Sequence, residues 1–266
     1  MTQPAPWSRW NPPVVLQLGL LLAFTTLAIL FWTKAVWPQR FLWPQASGEA
    51  IFCIRTQDPV MALTFDDGPH PIYTPAILDV LEAYQAKSTF FAIGRHLEQY
   101  PHIAQSLVDQ GHELANHTFS HPDLNRRLRS EIEREVQQTD TLLAPLVKSS
   151  QPYFRPPYGH ANLVVMQALK DMGRPILFWD VDLLDWSGLS VAQMMTMLAK
   201  QAHPGAIVLM HDASPSPDGS PQASRQKTVE LVKQILATYT PQGYRFVTLS
   251  ELLTLGTPQA SPSFCR

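Results

Sequence analysis

Charge is scarce in this sequence. Only 16% of its 266 residues are Asp, Glu, Lys or Arg, and the formal net charge is −2. No run of Lys and Arg forms a basic face, which argues against nucleic acid as a partner. Cysteine is nearly absent: Cys53 and Cys265 stand alone, and neither has the spacing of a metal ligand. In an exported protein the two would pair and staple the ends of one domain; otherwise they are two thiols. Glycine is outnumbered by proline, 12 against 24, so many loops are expected to be rigid. No internal repeat is apparent.

What the chain has instead is apolar residues, at 45%. Part of that excess sits at the start, where residues 10–33 carry no charge and 14–32 are almost wholly apolar. A membrane-spanning helix needs roughly 20 such residues. Trp7, Trp10, Trp32, Trp37 and Trp43 flank the run, as aromatics do at membrane interfaces. The expectation is an N-terminal flank at 1–13 and a transmembrane or signal-anchor segment at 14–36. A Pro- and Gly-containing linker follows at 37–52, and one catalytic domain at 53–266. A cleaved signal peptide is the alternative. Membrane anchoring would place the domain outside the cytoplasm; cleavage would make it secreted.

Beyond residue 59 the pattern alternates. Strands are predicted over 60–65, 88–93, 112–115, 153–155, 176–181, 206–210 and 244–247, each followed by a helical stretch. Thr74-Pro75, Ser130 with Glu133, and Ser190 with Gln193 read as helix starts. Such β/α alternation predicts an α/β fold with a parallel sheet and helices outside it, closed into a barrel.

The polar residues that stand out all follow strands. Asp66 and Asp67 end the first, before Gly68-Pro69. His117 and His121 follow the third, Arg155 the fourth, Asp182, Asp185 and Trp186 the fifth, and His211 and Asp212 the sixth. In a parallel barrel the carboxyl ends of the strands share one face, where active sites are built. Adjacent carboxylates repel unless a cation or donor separates them. Two imidazoles four residues apart, on a helical turn, would join a carboxylate from the first strand in a two-His, one-Asp metal site with room for water or substrate. Zn2+ suits those ligands, and Co2+ and Ni2+ fit the same set. The remaining histidines read as solvated or locally hydrogen-bonded.

These residues resemble, in order, the five motifs of the polysaccharide deacetylases (the NodB homology domain, carbohydrate esterase family 4). The motifs are Thr64-Phe65-Asp66-Asp67-Gly68, His117-Thr118-Phe119-Ser120-His121, Arg155-Pro156-Pro157-Tyr158-Gly159, Asp182-Leu183-Leu184-Asp185-Trp186 and Leu209-Met210-His211. The resemblance implies a distorted (β/α)7 barrel and hydrolysis of N-acetyl groups on an N-acetylhexosamine polymer, peptidoglycan or chitin-like. It implies Asp67, His117 and His121 as metal ligands, Asp66 as general base and His211 as general acid. Arg155 would orient Asp66, and Asp182 would do the same for His211. The backbone N–H of Tyr158 would serve the oxyanion, while Trp186 and Leu209 would wall the acetyl-methyl pocket. No obligate protein partner is expected. A catalytically inactive carbohydrate-binding domain and a metal phosphoesterase are the competing readings.

Overall fold

The computed structural model describes residues 50–147, 152–215 and 224–265. The segment expected at 14–36 lies outside them. Among the described residues, no helix is long and apolar enough to cross a membrane.

The central strand is β3 (Val60–Asp66), seven residues buried along their whole length. Its even-numbered side chains and its odd-numbered ones have different neighbours, as the two-residue period of a strand requires. Met61, Leu63 and Phe65 pack into the larger apolar cluster with the helices. Val60 and Ala62 belong to a second cluster inside the sheet, with Phe91, Ala115 and Ile207. Burial on both faces explains the nearly unbroken apolar run in the sequence.

Around β3 the strands run parallel. β4 (Thr89–Ala92) and β5 (Glu113–Asn116) continue on one side; β8 (Ala206–His211) and then β7 (Val181–Asp182) continue on the other. From β5 the pairing passes through an isolated bridge at Phe154 to Ile176 in β6 (Ile176–Leu177). Residues 176–182 then carry it back to β7, so the circuit closes. β9 (Arg245–Phe246) wedges beside the start of β3, opposite β8: Met61 pairs with Ala206 on one side and Phe246 on the other. The expected parallel α/β architecture is present, with the fourth stave reduced to a bridge and the fifth split in two.

The edges of the domain reach further than the pattern suggests. β1 (Ala50–Ile51), inside the stretch read as linker, pairs parallel with β6. β2 (Cys53–Arg55) pairs antiparallel with β10 (Thr257–Gln259), and Cys53 is disulfide-bonded to Cys265. Of the two readings of the cysteines, pairing is the one observed.

The helices are α1 (Tyr73–Ala83), α2 (Gly94–Gln99), α3 (Pro101–Asp109), α4 (Arg129–Leu143), α5 (Leu163–Asp171), α6 (Val191–Gln201), α7 (Gln226–Tyr239) and α8 (Leu249–Leu252). The Ser190–Gln193 capping box opens α6 as expected. Two other starts differ. The N-cap of α4 is Leu128, whose N–H donates to Glu131, so Ser130 and Glu133 do not form the box. α1 begins one residue before Thr74, whose hydroxyl donates to Asp212 rather than capping the helix.

Candidate active site

Strand alternation alone would send Asp66 and Asp67 to opposite faces. Asp66 continues the inward row of Val60, Ala62 and Thr64, and it is the register partner of His211 on β8. Asp67 then takes a left-handed backbone, φ 79°, which ends the alternation and leaves its carboxylate on the same side. That conformation is uncommon for a side-chain-bearing residue and is held by its neighbours. Its N–H donates to the Phe91 carbonyl at 3.2 Å, and His96 Nδ1 lies 2.6 Å from its carbonyl oxygen. The next residue must be glycine because Asp212 fills the space: a Cβ on Gly68 would fall 2.1 Å from Asp212 Oδ2. Asp212 is fully buried, and burial pushes its carboxyl up to about 7, although Thr74 Oγ1 donates to it at 2.5 Å.

Asp67, His117 and His121 converge, their candidate ligand atoms all within 4.8 Å of one another. His121 Nε2 is 3.3 Å and His117 Nε2 3.6 Å from Asp67 Oδ1. The two histidines do not share a helical turn, as their spacing suggested. They lie on the loop after β5, with Thr118 at φ 68° and His121 at φ 58°. His117 Nδ1 donates to the Arg155 carbonyl at 2.8 Å, which leaves its Nε2 with a lone pair facing the trio. Burial holds both imidazoles neutral, with pKa values of about 3 for His117 and about 2 for His121. Burial likewise pushes the Asp67 carboxyl up to about 7, and its Oδ1 has no hydrogen-bond partner. Neutral imidazoles and an orphaned buried carboxylate oxygen form a donor set that fits a divalent cation.

On one side of this trio stands Asp66. Arg155 Nη1 donates to its Oδ1 at 2.7 Å and to Thr64 Oγ1 at 2.9 Å. The guanidinium is fully buried, with its other N–H groups on the carbonyls of Leu177 and Phe178 and its carbon 4.0 Å from the Phe91 ring centroid. Four hydrogen bonds spread over all three nitrogens hold the planar fork in place, so it fixes the Asp66 carboxylate.

On the other side stands His211, and here the structure corrects the expected partner. Asp185, not Asp182, holds the imidazole: Oδ1 lies 2.7 Å from Nδ1, and Oδ2 accepts the His211 backbone N–H at 2.9 Å. Thr228 Oγ1 on α7 donates to the same Oδ2 at 2.7 Å. The Asp182 Oδ1 accepts the Leu184 N–H at 2.9 Å, forming the turn that brings Asp185 back over β8. Leu184 is left-handed within it, at φ 53°. Burial works against a charged His211, but the charge and hydrogen bonds of Asp185, with Asp67 and Asp66 beyond, outweigh it and push the pKa up to about 9. For Asp185 burial also opposes ionisation, and the pairing with His211 holds the carboxyl below its usual range.

Tyr158 sits at the rim, 58% exposed, with its ring edge-on to His121 at a 4.7 Å centroid distance. Its backbone is left-handed, φ 60°. Trp186 is also 58% exposed, and Leu209 is buried on β8 opposite Asp182. Of the residues expected from the sequence, Asp66, Asp67, His117, His121, Arg155 and His211 therefore gather at the carboxyl ends of their strands, while Leu209 lies within β8 beside Thr64. Sequence reasoning missed Thr228, which reaches Asp185 from a distant helix with no spacing signal to mark it. It placed Asp212 after the sixth strand without its packing against Gly68, and read His96 as solvated or locally hydrogen-bonded without its partner, the Asp67 carbonyl.

A family model described as polysaccharide deacetylase matches residues 54–177. A peptidoglycan-N-acetylglucosamine deacetylase of Bacillus cereus is 34% identical over 211 residues, covering 79% of this chain and 95% of the relative. A chitooligosaccharide deacetylase of Sinorhizobium fredii is 33% identical over 192 residues, covering 71% and 89%. A crystal structure of a peptidoglycan N-acetylglucosamine deacetylase in complex with 4-naphthalen-1-yl-N-oxidanyl-benzamide superposes with a TM-score of 0.70. It shares 30% identity and covers 79% of this chain and 95% of that one.

Proposed function

The chain belongs to the polysaccharide deacetylase family, and from that premise we propose that it hydrolyses N-acetyl groups on the glucosamine residues of peptidoglycan, with chitin-like oligosaccharides as the second choice of substrate. The observation that carries the reading is the grouping of three elements on one face: the Asp67–His117–His121 trio, the Arg155–Asp66 pair and the Asp185–His211 pair.

Asp67, His117 and His121 would hold a divalent cation, with Zn2+ ahead of Co2+ and Ni2+. When bound, it supplies Lewis acidity toward the amide carbonyl and the attacking water. The remaining steps belong to the chain. Asp66, oriented by Arg155, takes a proton from the attacking water. The backbone N–H of Tyr158 donates to the oxyanion as the carbonyl carbon becomes tetrahedral. His211, whose Nδ1 is engaged by Asp185, carries its transferable proton on Nε2 and gives it to the leaving sugar nitrogen. Acetate and a free amine result. Trp186 and Leu209 would wall the acetyl methyl group.

An inactive carbohydrate-binding domain would be expected to lack a ligand, the base or the acid, whereas this chain carries a residue suited to each role. A two-metal phosphoesterase needs a second ligand cluster close by. Among the described residues, the other candidate trio is Cys53, Asp180 and Cys265, and those cysteines are joined in a disulfide. We also propose that the segment at 14–36 tethers the domain outside the cytoplasm; a polymer of the cell envelope as substrate supports that placement.

The deciding experiment is a product assay with Zn2+, Co2+ or Ni2+ added to metal-free enzyme. Acetate release from peptidoglycan exceeding that from chitin oligosaccharides supports the reading. Release of phosphate from phosphoesters without acetate, or glycan binding with no product, would overturn it.

A further inference from the structure

The two histidines of the trio are held in different ways. The His117 ring is fixed through Nδ1 by the Arg155 carbonyl at 2.8 Å. The His121 Nδ1 is buried and has no hydrogen-bond partner. No bond to the ring's far nitrogen sets its orientation, so its position depends on the backbone of the loop that carries it and on the Tyr158 ring beside it.

That loop is clamped at almost every backbone group. The Thr118 N–H donates to Asn116 Oδ1 at 2.8 Å, and the His121 N–H to Thr118 Oγ1 at 3.0 Å. The carbonyls of Thr118 and Phe119 accept from the backbone N–H groups of Gly94 and Arg95 at 2.9 and 3.1 Å. The Ser120 carbonyl accepts from Arg95 Nη2 at 3.2 Å. Gly94 allows this approach, since a Cβ there would lie 2.6 Å from the Phe119 ring. Three further donors of the loop go to one side chain. Glu135 Oε2 accepts from the N–H of Phe119 at 3.0 Å and of Ser120 at 2.7 Å, while Oε1 accepts from Ser120 Oγ at 2.7 Å. Glu135 projects from α4, whose buried residues Ile132, Val136, Thr139 and Leu143 anchor it in the core.

We infer that Glu135 is the positioning residue for His121: its carboxylate fixes the loop between the two histidines and thereby sets His121 for a metal ion. The inference rests on the metal-site assignment above. A carboxylate accepting three donors on two oxygens is strongly directional, and its side chain stands on a packed helix rather than a loop. Groups that orient a ligand in this manner typically change metal affinity by 10–100-fold when lost.

The test measures Zn2+ affinity of the full-length chain by competition with a chromogenic chelator, alongside the thermal midpoint of the metal-free protein. Glu135→Ala should weaken Zn2+ binding by about 10–100-fold. Glu135→Gln should stay within about threefold of wild type: its carbonyl oxygen still takes both backbone N–H groups and its amide donates to Ser120 Oγ. Glu135→Asp keeps the charge but withdraws it by one methylene, and should bind weakly. If Glu135→Ala does not fold, the Gln and Asp variants decide: tight Gln with weak Asp supports the inference, and the reverse overturns it. A folded Glu135→Ala with wild-type Zn2+ affinity and only a lowered thermal midpoint would reduce Glu135 to a purely structural role. If wild type binds no Zn2+ that His117→Ala diminishes, the metal assignment itself fails, which is a separate outcome.

Discussion

Asp185 grips His211 twice, through Nδ1 at 2.7 Å and through the backbone N–H at 2.9 Å. The two contacts fix both the proton-bearing nitrogen and the height of the ring over β8. They also favour the charged imidazolium, the form a general acid needs.

The alkaline limb of kcat/KM should therefore follow His211, whose pKa is pushed up to about 9. An acid is lost as pH rises through its pKa, so activity should fall there. Asp185→Asn removes the charge that holds the proton and should move that limb to lower pH, while Asp182→Asn should leave it in place. A shift with Asp182→Asn alone would restore the assignment read from the sequence. Stability has the same sign. The folded-state pKa is raised, so the pairing contributes in full below the ordinary histidine value near 6.5 and fades as pH rises through about 9. Denaturant titrations at several pH values, wild type against Asp185→Asn, measure it.

Asp66 and Asp67 should separate cleanly. Asp66→Asn is expected to keep its metal and lose on the order of 10²-fold or more in rate, the scale of a general base. Asp67→Asn, His117→Ala and His121→Ala are expected to lose most of the metal along with the activity. Elemental analysis of each purified variant distinguishes them, and metal retained in Asp67→Asn but lost in Asp66→Asn would reverse the two roles.

The Cys53–Cys265 bond closes a loop with a sequence separation of 212 residues. In the chain-entropy account its removal costs about 5 kcal/mol. Urea unfolding of Cys53→Ser beside wild type checks this; equal midpoints would show that β2 and β10 hold the ends without it.

Gly68→Ala is expected to destabilise by about 1–3 kcal/mol, the usual range for overpacking a dense site. The added methyl would meet the Asp212 carboxylate, which is buried and tied to Thr74. Gly68→Ala combined with Asp212→Ala should recover part of the loss; a pair of purely additive effects would mean the two do not collide.

If 14–36 is a tether, protease added to intact spheroplasts should remove the domain. Digestion only after lysis would place it inside.

The sequence by itself determined the set of groups that meet. A buried parallel strand must alternate, so Val60, Ala62, Thr64 and Asp66 share the inward face. Parallel strands also end together, so residues that follow them gather whatever lies between. That logic reached Asp66, Asp67, His117, His121, Arg155 and His211 without contact information. Which group bonds which was decided only by tertiary structure. Asp182 and Asp185 are three residues apart and both follow a strand; the left-handed turn at Leu184 gives one of them the N–H of that turn and the other His211. The histidine loop looked helical because four-residue spacing is also that of a helix, but Glu135, Asn116 and α2 satisfy its backbone groups instead. Thr228 reaches Asp185 across 43 residues of chain. Such bonds are set by how packed elements bring buried donors to buried acceptors, and a linear pattern carries no signal of them.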